Sequence, residues 1–168
     1  MMKKLFMTCV LAVMTLAAYA QNYMVVDSEK IFKSQSDYTA ALSTLDELAR
    51  SEQKRVDEKF AEIESLYNRY MRVKSSMTLT QQQAQENEIM KREQEAIAYQ
   101  ESVFGNEGTL MQRRVELIQP IQKRVFSAIE SYAREEGFDL VIDSASNPTL
   151  IYRSEQVDKT QAVIDRLK

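Results

Sequence analysis

The stretch EEGFDLVIDSASNPTLIY, from Glu135 to Tyr152, decides the fold because it departs from the helical pattern of the rest of the chain. Gly137 suits the left-handed position that follows the end of a helix. Phe138 to Asp143 then alternates apolar residues with others, as a half-buried strand does. An Asn-Pro pair predicts a turn, and Thr149 to Tyr152 is predicted to form a further strand. A small sheet is therefore expected near the end of an otherwise helical protein.

The beginning of the chain has the pattern of a secretory signal peptide. Two lysines precede an apolar run from Leu5 to Ala18, and the letters AYA form an A-x-A cleavage site ending at Ala20. We therefore predict that residues 1–20 are removed by cleavage between Ala20 and Gln21. The apolar run is shorter than the roughly 20 residues that a transmembrane helix needs, so no membrane anchor is predicted.

The composition of the remaining chain excludes several kinds of site. The 168-residue sequence has no His, no Trp and one Cys, Cys9, which leaves with the signal. The commonest general base, the commonest metal ligand and the thiol nucleophile are then absent, so neither an enzyme nor a bound cofactor or metal is predicted. Two of the 22 basic residues also leave, and 20 against 25 acidic residues give a net charge of −5. No nucleic-acid partner is predicted for this acidic chain.

The segment from Gln21 to Phe104 contains neither Gly nor Pro, which is typical of long helices. It begins with a predicted strand, Tyr23 to Val26, and with Asp27 as a predicted helix N-cap. Beyond Asp27 the spacing predicts one helix of about 48 residues, whose apolar residues recur mostly at alternating steps of three and four. These residues are Tyr38, Leu42, Leu45, Ala49, Val56, Phe60, Ile63, Tyr67 and Tyr70.

The run SSMTLT, from Ser75 to Thr80, interrupts this pattern. Thr80 followed by Gln83 fits a capping box, in which a Ser or Thr begins a new helix. An uninterrupted helix is the alternative, and it is less favoured because Ser and Thr hydroxyls compete for helical backbone bonds. The tip of a helical hairpin is therefore predicted near residues 75–80.

The returning segment has a stricter repeat of seven residues. Two adjacent series of apolar residues follow this repeat, and a third series, at the position where a coiled coil needs its second apolar residue, is polar. A coiled coil here therefore has one apolar layer per heptad instead of two. The first apolar series is Ile89, Ala96, Val103, Leu110 and Leu117, and the second is Met90, Ile97, Phe104, Met111 and Ile118. The polar series is Glu93, Gln100, Glu107 and Arg114. The predicted core of this hairpin is therefore sparse.

Gly105, Gly108 and Pro120 lie within the returning segment. Gly costs about 1 kcal/mol relative to Ala inside a helix, and Pro should kink the helix or break its bonding locally. Two interpretations stay open. The three residues are irregularities that the helix tolerates, or they are hinges of an arm that flexes.

The hairpin brings the predicted strands together, and this defines the fold class. We predict a mostly α, α+β protein in which residues 28–136 form a long antiparallel helical hairpin, a coiled-coil-like arm. Residues 21–27 and 137–168 form a small β-rich body, with a short C-terminal helix that begins at the capping pair Asp158 and Gln161. A body this small, with no disulfide, is expected to need oligomerisation.

The order of these elements, together with five short segments, resembles the Skp/OmpH family of periplasmic chaperones. The segments are VVDSEKIF, LIQPIQKRVFSAIESYA, EEGFDLVIDSAS, LIY and VDKTQAVIDRLK, and the likeness is most specific from Leu117 to Lys168. The resemblance implies a periplasmic homotrimer in which three subunits build one β body and three arms surround a cavity in a jellyfish-like shape. It also implies an ATP-independent holdase, a chaperone that binds unfolded outer-membrane proteins after export and prevents their aggregation until membrane insertion.

Two groups of functional residues follow from the resemblance. The residues expected to hold the trimer together are Val25, Phe138, Leu140, Ile142, Leu150 and Tyr152. The residues of the arm and tip expected to bind unfolded clients are Tyr67, Tyr70, Met71, Met77, Leu79, Ile89, Met90, Ile97 and Phe104. Met side chains suit such a role because they adapt to varied partners. The alternative is that the arm residues only pack one helix on the other.

Charge separates this chain from the best-known members of the family, which are basic and bind anionic lipopolysaccharide and membranes. Here only Arg69, Arg72 and Lys74 give a locally basic segment, which a solvated helix face also explains. Lipopolysaccharide or membrane contact is therefore not carried over. A second function stays open, a structural coiled-coil spacer of the cell envelope, because the heptad-spaced stripe fits that role too.

Overall fold

The structure is a computed structural model that describes residues 22–168. The predicted signal, residues 1–20, and its cleavage site lie outside the described residues. The described chain is mostly helical with one small sheet, which confirms this part of the predicted fold class. Its elements are β1 (Tyr23–Val26), α1 (Ser28–Lys33), α2 (Ser36–Val73), a 3-10 turn (Lys74–Ser76), α3 (Leu79–Phe104), α4 (Thr109–Glu135), β2 (Leu140–Asp143) and α5 (Thr160–Arg166).

The chain divides into two compact units. Among the described residues, the first takes in residues 22–36 together with Gln122–Lys168, so it contains both strands, α1, α5 and the end of α4. The second, Asp37–Ile121, contains most of α2, all of α3 and the start of α4. They are named the body unit and the arm unit below.

β1 lies in the middle of the strand pairing. It pairs with β2 in parallel, with Val25 opposite Ile142. On the other edge Val25 forms a bridge to Asp158, where its amide donates to the Val157 carbonyl at 2.8 Å and its carbonyl accepts from the Lys159 amide at 2.9 Å. A strand covered in this way has a continuous apolar run, which explains why β1 reads YMVV and not as an alternation.

The predicted strand from Thr149 to Tyr152 is wrong. These residues lie outside the sheet, and the second edge of β1 is taken instead by Val157–Lys159. Locally, the Asn147 side chain accepts from the Thr149 amide at 3.2 Å and from its hydroxyl at 2.6 Å. Such an Asx turn folds the chain back on itself, so the run that follows does not extend along β1.

The core of the body unit is built from short elements packed around β1. On α4 the buried residues recur at steps of four, which gives one inward face. Phe32 and Phe126 add an edge-to-face ring contact with 5.9 Å between centroids. The buried apolar side chains of this unit are Met24, Val25, Val26, Ile31, Val125, Ile129, Ala133 and Val163.

Two helix ends are confirmed where the sequence predicts them. The Asp27 side chain accepts from the Lys30 amide at 3.0 Å and so caps α1. Gly137 has a φ of 73°, and the Phe138 amide donates to the Ala133 carbonyl at 2.8 Å. This is a Schellman motif, the common way in which a glycine ends a helix.

The predicted single helix of about 48 residues is wrong, because the chain is interrupted between α1 and α2. The Ser34 hydroxyl donates to the Ile31 carbonyl at 2.7 Å, and the Gln35 amide donates to the Phe32 carbonyl at 3.0 Å. These bonds span three residues and tighten the turn, so α1 ends at Lys33.

The predicted capping pair of Asp158 and Gln161 is also wrong. α5 begins at Thr160, and Lys159 holds the N-cap position without a side-chain cap bond. The backbones of the residues on either side of Asp158 bond to Val25. Its carboxylate instead accepts from the amide and the hydroxyl of Thr160, at 3.0 and 2.5 Å.

The returning segment consists of two helices, because a turn separates α3 from α4. The turn is closed by the Gly108 amide, which donates to the Gly105 carbonyl at 2.9 Å. A Cβ on Gly105 would lie 2.5 Å from the carbonyl oxygen of Glu101, and one on Gly108 would lie 2.4 Å from that of Val103. The close approach of the backbone therefore requires glycine at both positions. Hinge motion there stays a prediction.

Pro120 does not end α4, which runs from Thr109 to Glu135 without interruption. The ring removes one backbone donor, and the helix continues on the remaining bonds. The boundary between the two compact units follows soon after, at Ile121. A hinge at Pro120 also stays a prediction.

Candidate functional site

The arm unit is held together by one buried residue per heptad on each of its two main helices. Ile63, Tyr70, Ile89 and Ala96 form one cluster, against which Leu66 and Met77 pack. The residues buried at heptad spacing are Val56, Ile63 and Tyr70 on α2, and Ile89, Ala96 and Val103 on α3. Ala41, near the start of α2, is buried as well. These steps are of seven, so the prediction of a single apolar layer per heptad is confirmed for α3, the first part of the returning segment.

Two residues of the second apolar series of α3, Met90 and Ile97, are left in solvent. Ile89 is 7% exposed whereas its neighbour Met90 is 51% exposed, and Ala96 is 1% exposed whereas Ile97 is 58% exposed. On α2, Phe60 and Tyr67 are exposed, although the sequence assigns both to the buried face. The true core positions of α2 are those seven residues apart, from Val56 to Tyr70. A search for mixed steps of three and four does not separate them from the exposed apolar residues between them.

The structure places the nine predicted client-binding residues in three environments. Five are exposed: Tyr67, Met71, Leu79, Met90 and Ile97. Met77 and Phe104 are half-buried, and Tyr70 and Ile89 are buried in the arm core. For Tyr70 and Ile89 the observed environment is therefore that of the alternative interpretation, in which the residue packs one helix of the arm on the other.

Polar contacts reinforce the thin core of the arm. Near the tip, the Tyr70 hydroxyl donates to Glu86 at 2.5 Å, and the Lys74 ammonium donates to the same carboxylate at 3.1 Å. Hydrogen bonds from Tyr70 and then Lys74 hold the pKa of Glu86 below its usual value. Burial, followed by the bond to Glu86, raises the pKa of Tyr70. The carboxylate is thus charged at neutral pH, and one of its oxygens accepts both bonds.

A second polar contact joins α2 and α3 further from the tip. The Tyr99 hydroxyl donates to Glu52, and Arg55 pairs with the same carboxylate at 2.8 Å. The Lys59 ammonium lies over the Tyr99 ring, 5.0 Å from its centroid. Sequence reasoning missed this contact. Its only signal is Glu52 itself, an acidic residue at a position where the helical repeat expects an apolar one.

The helix after the hairpin tip begins two residues earlier than predicted. Thr78, not Thr80, is the N-cap of α3: its hydroxyl accepts from the Gln81 amide at 3.3 Å, and its amide donates to the Gln81 side chain at 2.9 Å. The Gln82 side chain also donates to the carbonyl of Lys74 at 3.1 Å. A capping box is therefore present, but the predicted pair of Thr80 and Gln83 is wrong.

An open cleft between α2 and α3 gathers many of the predicted client-binding residues. Its volume is about 370 Å³. The residues that line it are Tyr67, Tyr70, Met71, Lys74, Glu86, Ile89, Met90 and Glu93. This set is named the arm cleft. Arg69 and Arg72 are exposed outside it, and Lys74 is paired with Glu86, so the three basic residues do not act as one free patch.

The predicted trimer residues lie in the body unit at different depths. Val25 is buried within the subunit, while Phe138, Ile142 and Leu150 are half-buried. Leu140 is 56% exposed, and Tyr152 is also exposed. Sequence reasoning missed two further exposed side chains, Tyr23 and Ile151. Tyr23 lies opposite Leu140 in the sheet register, so the start of the sheet presents a pair of apolar residues to solvent.

A polar network, which sequence reasoning missed, fixes the other end of the sheet. Asp143 accepts from the Ser28 amide at 3.1 Å and from its hydroxyl at 2.6 Å, and Arg153 pairs with Asp158 at 3.0 Å. Burial opposes the charged form of Asp143, but hydrogen bonds led by those of Ser28 lower its pKa overall. For Asp158, burial is likewise outweighed by hydrogen bonds from Thr160 and by the charge of Arg153, so its pKa is lowered.

Comparison with known proteins identifies the class to which this fold and these surfaces belong. The model of the family described as "Outer membrane protein (OmpH-like)" matches residues 22–167, so the chain belongs to this family. A solved structure of an OmpH-like candidate outer membrane chaperone from Caulobacter crescentus CB15 has the same fold, with a TM-score of 0.66 and 10% identity. That match covers 90% of this chain and 86% of the other. No curated protein matches the sequence.

Among the helices of residues 22–168, none combines the length and the apolar character needed to cross a membrane.

Proposed function

We propose that this protein is an ATP-independent holdase of the periplasm, which binds unfolded outer-membrane proteins after export and prevents their aggregation until membrane insertion. Membership of the OmpH-like family supports the proposal, as does the fold shared with a candidate outer membrane chaperone. No enzymatic activity is proposed.

The observation that carries the proposal is the division of the arm's apolar residues. One series closes the hairpin, and the adjacent series, with Met90 and Ile97, remains in solvent. Tyr67 and Met71 extend the exposed apolar surface onto α2. Contiguous exposed apolar surface typically marks an interaction site, and Met side chains repack around partners of different shape. A chaperone for many unfolded chains needs a surface of this kind.

The proposal includes a homotrimer with a jellyfish-like arrangement, in which three body units join and three arms surround a cavity. Two features of the body unit support it. β2 is paired on one edge only within the described residues, and Leu140, Ile151 and Tyr152 are exposed close to it in sequence. Covering these side chains with further subunits would remove apolar surface from water, which a small sheet needs for stability.

Two measurements on the purified protein test the proposal together. The mass in solution, by light scattering, should be that of a trimer. A denatured outer-membrane β-barrel protein, diluted from urea, should aggregate less in its presence without any nucleotide. A monomer with no effect on aggregation would refute the holdase. The alternative, an envelope spacer, requires stable association with a partner and no preference for unfolded chains.

A pair of substitutions in the body unit tests the assembly. Leu140→Asp places a charge on a side chain that is 56% exposed in one subunit, so the single subunit should tolerate it while the trimer should not. Gln156→Asp makes the same charge change at another exposed position and serves as the control. The proposal expects Leu140→Asp alone to lower the mass while helicity by circular dichroism is kept. A trimeric Leu140→Asp protein would contradict this assignment of the interface.

A further inference from the structure

The arm cleft contains a carboxylate that the arm itself does not neutralise. Glu93 lies seven residues after Glu86, at the same polar position of the heptad. Glu86 is bonded to Tyr70 and Lys74. Glu93 is exposed and lines the cleft, and within the described residues it has neither a hydrogen bond nor an ion pair. Two equivalent positions thus differ: one carboxylate is bonded to side chains of the hairpin, and the other is available to a ligand.

The cation that lines the cleft and the cation next to Glu93 in sequence are both engaged elsewhere. Lys74, which lines the same cleft, is held by Glu86 at 3.1 Å and lies over the ring of Tyr70. Arg92 is the neighbour of Glu93 in sequence, and it donates to Glu88 at 2.8 Å. The cleft therefore combines exposed apolar side chains with one uncompensated negative charge.

We propose that the arm cleft selects client segments in which a lysine or arginine lies close in sequence to an aromatic or large aliphatic residue. The apolar side chain contacts Tyr67, Met71 and Met90, and the basic side chain pairs with Glu93. This inference rests on the proposed holdase function and deepens it by naming the chemistry of the preferred segment. The charge of the cleft favours a basic segment over a neutral or acidic one of the same apolar content.

The dimensions of the cleft fit this occupant. Its volume of about 370 Å³ is near the lower end of the roughly 300–1,000 Å³ typical of ligand pockets. It can hold one or two large side chains of an extended segment but not a folded element. The methionines at its wall let it accept aromatic and aliphatic side chains alike.

The expected preference is modest. An exposed ion pair of this kind changes affinity by about two- to fivefold, and added salt should reduce the difference because the pair is accessible to counterions. Apolar contacts contribute to the affinity of every segment. The effect of charge on affinity is therefore visible only between peptides that have the same apolar residues.

Three fluorescent peptides test the inference by anisotropy with the purified protein. They share one aromatic residue and differ at a single nearby position, which is Lys, Gln or Glu. The expected order of affinity is Lys over Gln over Glu, by about two- to fivefold per step. Glu93→Gln should remove this order. Glu95→Gln is the control, because Glu95 is exposed on the same helix, lies outside the arm cleft and already pairs with Lys91 at 3.9 Å.

Equal binding of the three peptides by the unaltered protein would overturn the inference, as would an order that survives in Glu93→Gln. Met90→Ala should weaken all three peptides and keep their order, and unchanged affinities in that variant would overturn the apolar half. Failure of this inference is distinct from failure of the holdase. A protein that suppresses aggregation but binds the peptides equally loses only the charge preference, whereas one that neither binds nor suppresses loses both.

Discussion

Replacing Gly108 by Ala should destabilise the arm unit, although the sequence alone predicts the opposite sign. Inside a continuous helix, Gly to Ala stabilises by about 1 kcal/mol. In the structure Gly108 is buried in the turn between α3 and α4. A Cβ there would lie 2.4 Å from the carbonyl oxygen of Val103 and 2.6 Å from its carbonyl carbon. Both atoms belong to the backbone, so no change of rotamer relieves the contact.

The loss of stability can be calculated from the difference between this distance and an ordinary contact. Ordinary contacts between a carbon and a carbonyl oxygen are about 3.3–3.6 Å, so the turn has to open by about 1 Å. Overpacking of this kind costs about 1–3 kcal/mol. The movement also strains the bond from the Gly108 amide to the Gly105 carbonyl, now 2.9 Å. We expect the melting temperature to fall by about 2–4 °C for each kcal/mol lost.

Urea and thermal unfolding, followed by circular dichroism, measure this change. The protein concentration has to be equal for all variants, because association stabilises the folded chain. Asn106→Ala is the matched control, since Asn106 is exposed in the same turn. This substitution should change the free energy of unfolding by no more than about 0.5 kcal/mol. A Gly108→Ala protein more stable than the parent would refute the interrupted helix and restore the continuous one.

Three further predictions concern single side chains. Hydrogen bonds outweigh burial and lower the folded-state pKa of Asp143 below the unfolded value of about 3.9. Its contribution to the free energy of unfolding is therefore complete at neutral pH and is lost as the pH falls below about 4. The urea midpoint should then fall less on acidification in Asp143→Asn than in the parent. Tyr99→Phe removes the bond to Glu52 and should cost about 1 kcal/mol in thermal unfolding. Ile89→Ala opens the arm core and should cost about 2–5 kcal/mol in urea unfolding.

Features that depend on neighbouring residues in the chain could be predicted from the sequence. Asp27 caps α1 and Gly137 ends α4 as expected, because each acts on backbone groups within a few residues. The single apolar layer of the arm is likewise visible as a repeat of seven. The N-cap of α3 was predicted two residues too late, because Thr78 and Thr80 offer the same chemistry. Only the backbone conformation separates them.

Features that depend on competition between distant segments could not be predicted in this way. The edge of β1 is open to any extended segment, and both Thr149–Tyr152 and Val157–Lys159 are available to it. The Asx turn at Asn147 directs the first away, and the second bonds to Val25. The pairing of Tyr99 with Glu52 has the same character, because the two residues are 47 positions apart. The choice rests on tertiary geometry, which periodicity does not contain.

The polar positions of the arm have opposite consequences for folding and for binding. A second apolar layer at Glu86 and Glu93 would make the hairpin more stable, and it would draw Met90 and Tyr67 into the contact between helices. With carboxylates there, the hairpin depends on a thin core and on bonds such as that from Tyr70 to Glu86. The apolar side chains beside that core then stay in solvent. Under the proposed function, the carboxylates that weaken the arm also keep its surface open to clients. A stabilised arm with an apolar residue at position 93 should therefore be the poorer chaperone.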